Sequence, residues 1–539
     1  NDWFVDDGVL SKMWKGYSKR EEQIRLSSDI YSNFKNQEIL IAEAGAGLGK
    51  SLSYLVAGLI YSIRNDKVLI ISTYTKALQE QLFNKDIPAL IDELNLDLKT
   101  VILKGKNNYI SKIKLNKIIN NEHIYIEDKD IFECITLIVW SHFTQTGDIE
   151  ECNGFDKKRI NQLWVRVGYS DDNSDMKFDQ NDYYNRVVQE SKNSDIVIVN
   201  HSLLCSDLSS SNPILSDDAI LVVDEGHNLV PSIRNHLTKS FSDSALISLY
   251  YSFNKNIKFL KTKIDDSLFN KLNESKANID SLLTQNIKIF DDFKYNYDDI
   301  YSNLEFNNYD ISISPEECFL NGLDLDTLSS ILNKFNKEID KISNLYNRNI
   351  QLESIKFNLS EIIAIIQIFS DNKQEYIRWI SLYKRNLNNY ISLYSSDTNI
   401  KDFVFNKINK KFPSFFLCSA TLTINDSFSF FLNSIGLSNN FISLINTKIY
   451  KSPFYYEDQS KFYVLNKKIE INSDSYIGDI SNQIADLSIY LNKRILILCT
   501  SYKQVKSIGR NLLNNNKVNN NNILMQTSKF SKNSILRNY

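Results

Sequence analysis

The chain of 539 residues is 42% hydrophobic and 24% charged, with only 15 Gly, 6 Pro and 6 Cys. That is the make-up of an ordinary globular protein of several domains, and it excludes a disordered, collagenous or disulfide-dense chain. Lys and Arg (62) nearly balance Asp and Glu (65) for a net charge of −3, so any nucleic acid must be met by a local groove rather than by bulk positive charge.

Taken in chain order, the N-terminus (Asn1, Asp2, Trp3, Phe4) lacks the basic and apolar regions of a signal peptide. No later run reaches the roughly 18–20 apolar residues that cross a bilayer. Scattered cysteines without framework spacing suit a reducing compartment, so the expected location is cytoplasmic, with no membrane. Short apolar runs at Ile39–Ala42, Val68–Ser72, Ile196–Val199, Ile220–Val223, Phe415–Cys418 and Ile495–Cys499 read as buried strands. Helical patterns lie between several of them, which predicts an α/β fold with a parallel sheet covered on both faces. Between about 240 and 400 the pattern changes. Ile257, Leu260, Ile264, Leu268 and Leu272, and again Leu328, Ile331, Phe335, Ile339 and Ile342, recur at three- and four-residue spacings, the stripe of amphipathic helices. This stretch holds no strong strand run and is expected to be a helical insertion. Asn514–Asn522 reads as a polar loop.

The strongest chemical signal is Ala44, Gly45, Ala46, Gly47, Leu48, Gly49, Lys50 and Ser51, between a strand and a helical run. Ala44 stands where the strict phosphate-loop pattern has Gly, but the Gly-Lys-Ser ending is intact. Gly residues let backbone N–H groups turn toward phosphate oxygens, and the helix N-terminus adds partial positive charge. Lys50 is expected on the β- and γ-phosphates and Ser51 on Mg²⁺. The bland alternative is a Gly-rich turn without ligand. A second carboxylate pair follows the run Ile220–Val223: Asp224 is placed on Mg²⁺ and Glu225 on the attacking water, with His227 two residues on. Its alternative is a solvated acidic turn.

Asp-Glu-x-His after an apolar strand, with Ala-Gly-Ala-Gly-x-Gly-Lys-Ser, resembles motifs II and I of superfamily 2 helicases. Other segments are similar to the DinG branch of the DinG/XPD helicases: Ser72–Leu82, Leu103–Tyr109, Asp195–Leu204, Cys418–Leu422, Ser452–Phe454 and Ile497–Tyr502. Arg20–Gln23 is similar to the adenine-reading Q motif, which implies nucleotide contacts from Arg20 and Gln23. The resemblance implies ATP and Mg²⁺ as cofactors, and single-stranded or tailed duplex DNA as partner. It also implies a monomeric 5′–3′ helicase or translocase in DNA repair or replication. Thr73, Thr75, Gln79, Asn200 and His201 are candidate strand contacts, with polar caps as their alternative. Lys104, Lys106, Lys112, Lys114 and Lys117 around Tyr109 are expected either to line a single-strand groove or to form a solvated face.

The organisation implied is a RecA-like motor domain 1 (1–104, 191–238 and 406–450), an insert at 105–190, a helical arch-like insertion at 239–405 and the start of a second RecA-like domain at 451–539. The chain departs from the family in two ways. Ile110 and Ser111 stand where the first iron–sulfur ligand is expected, and Cys134, Cys152 and Cys205 cannot form a Cys₄ set, so no iron–sulfur cluster is expected. Motifs V and VI do not follow, so the second motor domain is expected to be incomplete and its arginine fingers missing. A nucleotide-binding module that recruits or regulates without unwinding is the alternative function.

Overall fold

The structure is a computed structural model. It describes residues 3–5, 8–13, 17–120, 131–152, 155, 163–164, 167–169, 181–261, 266–297, 311–313, 323–345, 350–370, 375–385, 388–437, 445–464, 474–491, 493–515 and 523–526. By internal packing the chain divides into two compact units, Asn1–Phe454 and Tyr455–Tyr539.

The first unit is built on strands β1 (Ile39–Ala44), β2 (Val68–Thr73), β3 (Thr100–Ile102), β4 (Ile196–Asn200) and β5 (Ala219–Asp224), followed much later by β10 (Phe415–Ser419) and β11 (Ile445–Tyr450). They form one sheet in the order β11-β1-β10-β5-β2-β4-β3, and every pairing is parallel. The unbroken apolar runs make sense here, because a central parallel strand is buried on both faces. Alternate residues serve different cores. Leu40, Ala42, Ile71, Ile198, Val222 and Phe416 pack on one side; Ile41, Ile70, Val199, Val223 and Leu417 pack on the other. The fold class is therefore α/β, with five of the six expected strands present. Sequence reading missed the two edges. β11 (INTKIY) exposes Asn446, Thr447 and Lys448, and β3 is three residues long; neither makes a buried apolar run.

Between β5 and β10 the chain builds a second core. The helices Asp243–Lys261, Asp266–Tyr295, Leu325–Leu345 and Ile350–Ser370 bury Phe253, Phe290, Phe335 and Phe369. Ile264 and the side chains of Leu260 and Leu268 lie outside the described residues. The expectation of a purely helical insertion is corrected. β6 (Thr238–Ser242), β7 (Ile311–Ile313), β8 (Tyr376–Arg385) and β9 (Asn388–Asp397) form an antiparallel sheet in the order β6-β9-β8-β7. β8 and β9 alternate rather than run apolar. Ile380, Leu382, Ile391 and Leu393 face the helices, while Trp379 stacks on Tyr394 and Tyr383 on Tyr390 across the opposite face. Period-two patterning with polar residues between is what a one-sided antiparallel sheet requires.

The second unit packs the helices Asp474–Leu491 and Tyr502–Leu513 through Ala485, Ile508 and Leu512. Ile495–Cys499, expected as a strand, joins no ladder among the described residues, and Leu496 and Leu498 are exposed. Asn516–Asn522 of the expected polar loop lies outside the described residues. Among the described residues, no helix is long and apolar enough to cross a membrane.

Candidate functional site

The parallel register gathers the motifs. Glu43 pairs with Ser419, Cys418 with Asp224, and Ala44 with Tyr450. Three strands thus deliver the glycine-rich loop, the acidic pair and the Ser419 turn to one end of the sheet, the carboxyl end where open α/β sheets bind ligands.

The loop from Ala44 to Gly49 leaves β1 and enters the helix Lys50–Asn65. Ala44 is buried and belongs to the core, so this position serves packing. Gly47 adopts φ +77°, which side chains other than Gly resist. Arg20 Nη1 donates to Gly47 O at 2.5 Å and Gln23 Nε2 to Gly49 O at 3.2 Å. Both expected Q-motif residues therefore reach the loop itself. Lys50 Nζ lies 4.0 Å from Glu225 Oε1.

Asp224 ends β5 almost wholly buried. Its Oδ2 accepts from Tyr54 Oη at 3.0 Å and its Oδ1 from the Glu225 N–H at 2.8 Å. Burial, and then the neighbouring Glu225, push its carboxyl above the usual range, with Lys50 opposing. A desolvated carboxylate of this kind favours a cation beside it. Ser51 and Asp224 supply hard oxygen donors, which suits Mg²⁺, an ion that takes one or two protein ligands and completes its shell with phosphates and water. Glu225 sits at φ +55°, a left-handed conformation that costs free energy in a non-glycine residue. The strained turn places Glu225 beside both Lys50 and His227 Nδ1, which is 3.4 Å from Glu225 Oε2.

His227 Nδ1 also lies 2.6 Å from Ser419 Oγ, so the acidic turn and the Ser419 turn are joined. A second tie was not foreseen. The Glu43 carboxylate accepts from the backbone N–H groups of Leu422 and Thr423, both at 2.6 Å, and from Thr423 Oγ1 at 2.9 Å. Tyr54 was missed as well. Burial and Asp224 raise its phenol well above the ordinary value, so it remains a donor. Its position three residues past Ser51 on one helix face was the available signal.

The candidate strand contacts do not form one surface. Thr73, Gln79 and His201 are buried; Thr73 Oγ1 and Gln79 Nε2 have no hydrogen-bond partner among the described residues. Thr75 caps a helix through Leu78 N, and Asn200 caps another through Leu203 N at 2.7 Å. Of the five, only Thr75 is exposed. His201 Nδ1 meets Ser72 Oγ at 2.7 Å, and burial lowers its pKa to about 4. Three of the five clustered lysines have partners within the protein. Lys104 pairs with Asp148 and Glu150, Lys114 donates to Gly168 O at 2.9 Å, and Lys112 lies over the Tyr183 ring. Tyr109 is buried and offers no stacking face; the side chain of Lys117 is outside the described residues. Cys134, Cys152 and Cys205 are buried in the apolar core, and burial pushes the Cys205 thiol up to about 12.

Fold and site together give a parallel α/β sheet with a glycine-rich loop after β1 and an acidic pair at the end of β5, on the far side of β10. No protein-family model matches the chain. The chain is similar to the "3'-5' exonuclease DinG" of Bacillus subtilis strain 168, 23% identical over 554 residues, covering 95% of this chain and 57% of that one. It is also similar to proteins of the same name from Staphylococcus epidermidis RP62A (28% over 534 residues, 94% and 57%) and Staphylococcus aureus USA300 (28% over 517 residues, 92% and 55%). The resemblance drawn from the motifs thus extends over nearly all of the chain, which spans a little over half the length of these relatives. A solved structure named XPD_Helicase covers 92% of this chain and 74% of its own, at 13% identity and a TM-score of 0.42.

Proposed function

We propose that the chain carries the nucleotide-binding core of an ATP-driven DNA translocase or helicase of the DinG/XPD kind. The observation that carries this reading is the convergence of Lys50, Ser51, Asp224 and Glu225 at one end of the sheet, with Lys50 Nζ 4.0 Å from Glu225. Lys50 and the N-terminus of its helix meet the triphosphate, which replaces Glu225 as the counter-charge of Lys50. Ser51 and Asp224 would hold Mg²⁺, which when bound would neutralise phosphate charge. Glu225 orients and polarises water for attack on the γ-phosphate. His227 and Ser419, 2.6 Å apart, tie that carboxylate to the turn after β10, and Glu43 ties the same turn to the phosphate loop. A change at the phosphates therefore has a bonded route to the turn. Of the candidate strand contacts Thr75 is exposed on the loop after β2, with the exposed Tyr74 beside it.

The name of the relatives describes an exonuclease, and this reading differs in its chemistry: hydrolysis of ATP rather than of the DNA strand. The test is ATP turnover by residues 1–539 with and without single-stranded DNA, with a labelled strand followed for degradation in parallel. Turnover that rises with DNA and falls to background in Glu225→Gln supports the reading. Strand degradation independent of ATP, without nucleotide turnover, contradicts it.

A further inference from the structure

The phosphate loop is held from outside by three side chains that donate to its carbonyls. Ser452 Oγ donates to Ala46 O at 2.8 Å, Arg20 Nη1 to Gly47 O at 2.5 Å and Gln23 Nε2 to Gly49 O at 3.2 Å. In a trans peptide the C=O of one residue and the N–H of the next lie in one plane and point in opposite directions within it. The Ala46 and Gly47 carbonyls taken up by Ser452 and Arg20 direct the N–H groups of Gly47 and Leu48 away from those donors, while the Gly49 carbonyl, which also accepts from the Ser53 N–H at 3.2 Å, leaves the Lys50 N–H free of the helix ladder at the helix N-terminus. The Leu48 N–H also closes a long turn to Gly45 O at 3.4 Å.

Ser452 reaches the loop from just past the end of β11, the edge strand beside β1. There the chain lies flat on the loop: Gly45 N donates to Tyr450 O at 3.0 Å. A Cβ on Gly45 would meet Ser452 N at 2.6 Å, and one on Gly47 would meet Phe454 Cε2 at 2.1 Å. The absence of side chains at both positions is thus required by the strap 450–454 as well as by any phosphate.

We infer that Ser452 is a positioning residue for polyphosphate binding, acting with Arg20 and Gln23 to orient the loop's N–H groups before the anion arrives. The inference rests on the nucleotide-site reading above and adds to it. It gives Arg20 and Gln23 a role at the loop backbone, and it brings into the site a residue distant in sequence. Preorganised N–H groups bind an anion without paying for loop ordering at that moment. The contribution concerns the phosphate chain alone, so it is the same for ATP and for a polyphosphate without a base.

The experiment is calorimetric titration of residues 1–539 with Mg-ATP and, separately, with inorganic tripolyphosphate. It compares the parent with Ser452→Ala, Ser452→Thr and Arg20→Ala, each checked for an unchanged melting temperature. Ser452→Ala is expected to weaken both ligands about fivefold, the loss of one neutral hydrogen bond. Ser452→Thr restores both, and Arg20→Ala weakens both. Equal tripolyphosphate affinity in the parent, Ser452→Ala and Arg20→Ala overturns the inference, as does an Arg20→Ala protein that loses ATP alone. If Ser452→Ala does not fold, Arg20→Ala carries the same test. A folded parent that binds neither ligand overturns the nucleotide-site reading itself, an outcome distinct from variants that match a binding parent.

Discussion

The phenol of Tyr54 stands 3.0 Å from Oδ2 of Asp224, joining the helix that follows the phosphate loop to the strand end that presents the acidic pair. Both residues are buried, so the donor answers part of the desolvation of a carboxylate largely withdrawn from water. Tyr54→Phe keeps the ring and removes only that bond. It should lower the unfolding free energy by about 2 kcal/mol, the range for a hydrogen bond to a charged group. Urea denaturation of parent and variant measures this; an unchanged midpoint would show that the bond contributes nothing.

Glu43 should matter in a different way. Its carboxylate accepts three hydrogen bonds from Leu422 and Thr423. Glu43→Ala leaves two backbone N–H groups of the turn without their acceptor, at a cost of about 2 kcal/mol in stability. Nucleotide binding should persist, because Lys50 and Ser51 are untouched, while DNA-stimulated turnover should fall. A Glu43→Ala protein with parental stimulation would show that the turn needs no tether.

His201 gives a pH dependence with a definite sign. Its folded pKa is lowered from 6.5 to about 4 by burial, so the unfolded chain takes up a proton that the folded chain refuses. Stability from this group is fully present above pH 6.5 and is lost as the pH falls from 6.5 towards 4, by about 3 kcal/mol in all. Denaturation midpoints of parent and His201→Gln between pH 7.5 and 4 should diverge by this component. Parallel curves would mean that His201 protonates freely in the folded protein.

Glu225→Gln should leave binding of Mg-ATP in place and slow hydrolysis by about 10²–10⁴-fold, the usual contribution of a general base. Titration beside single-turnover hydrolysis separates the two. Loss of binding instead would make Glu225 a structural residue of its strained turn.

Legibility in the sequence followed burial. The central strands β1, β2, β4, β5 and β10 were readable because both faces of each are covered, leaving unbroken apolar runs. The edge strand β11, with Asn446, Thr447 and Lys448 exposed, carried no such signal. Yet it is the strand that brings Ser452 to the phosphate loop. The β8–β9 hairpin was hidden because its core residues alternate with Trp379, Ser381 and Tyr383. The loop and the acidic pair were legible as contiguous motifs. Glu43, Tyr54 and Ser452 were not, since each acts through a partner that only the sheet register supplies. Around Tyr109 spacing shows the charges of Lys104 and Lys114 but not their partners Asp148, Glu150 and Gly168, which lie far along the chain.

Every role proposed at the site requires that the loop ending in Lys50 and Ser51 bind a triphosphate. Equilibrium titration of residues 1–539 with Mg-ATP, beside Lys50→Ala, tests it directly. The predicted result is one saturable site in the parent, lost in a Lys50→Ala protein that still folds and unfolds cooperatively, since Lys50 supplies charge at the ligand rather than packing. A folded parent that binds no Mg-ATP, or a Lys50→Ala protein that binds it as tightly as the parent, would contradict the account.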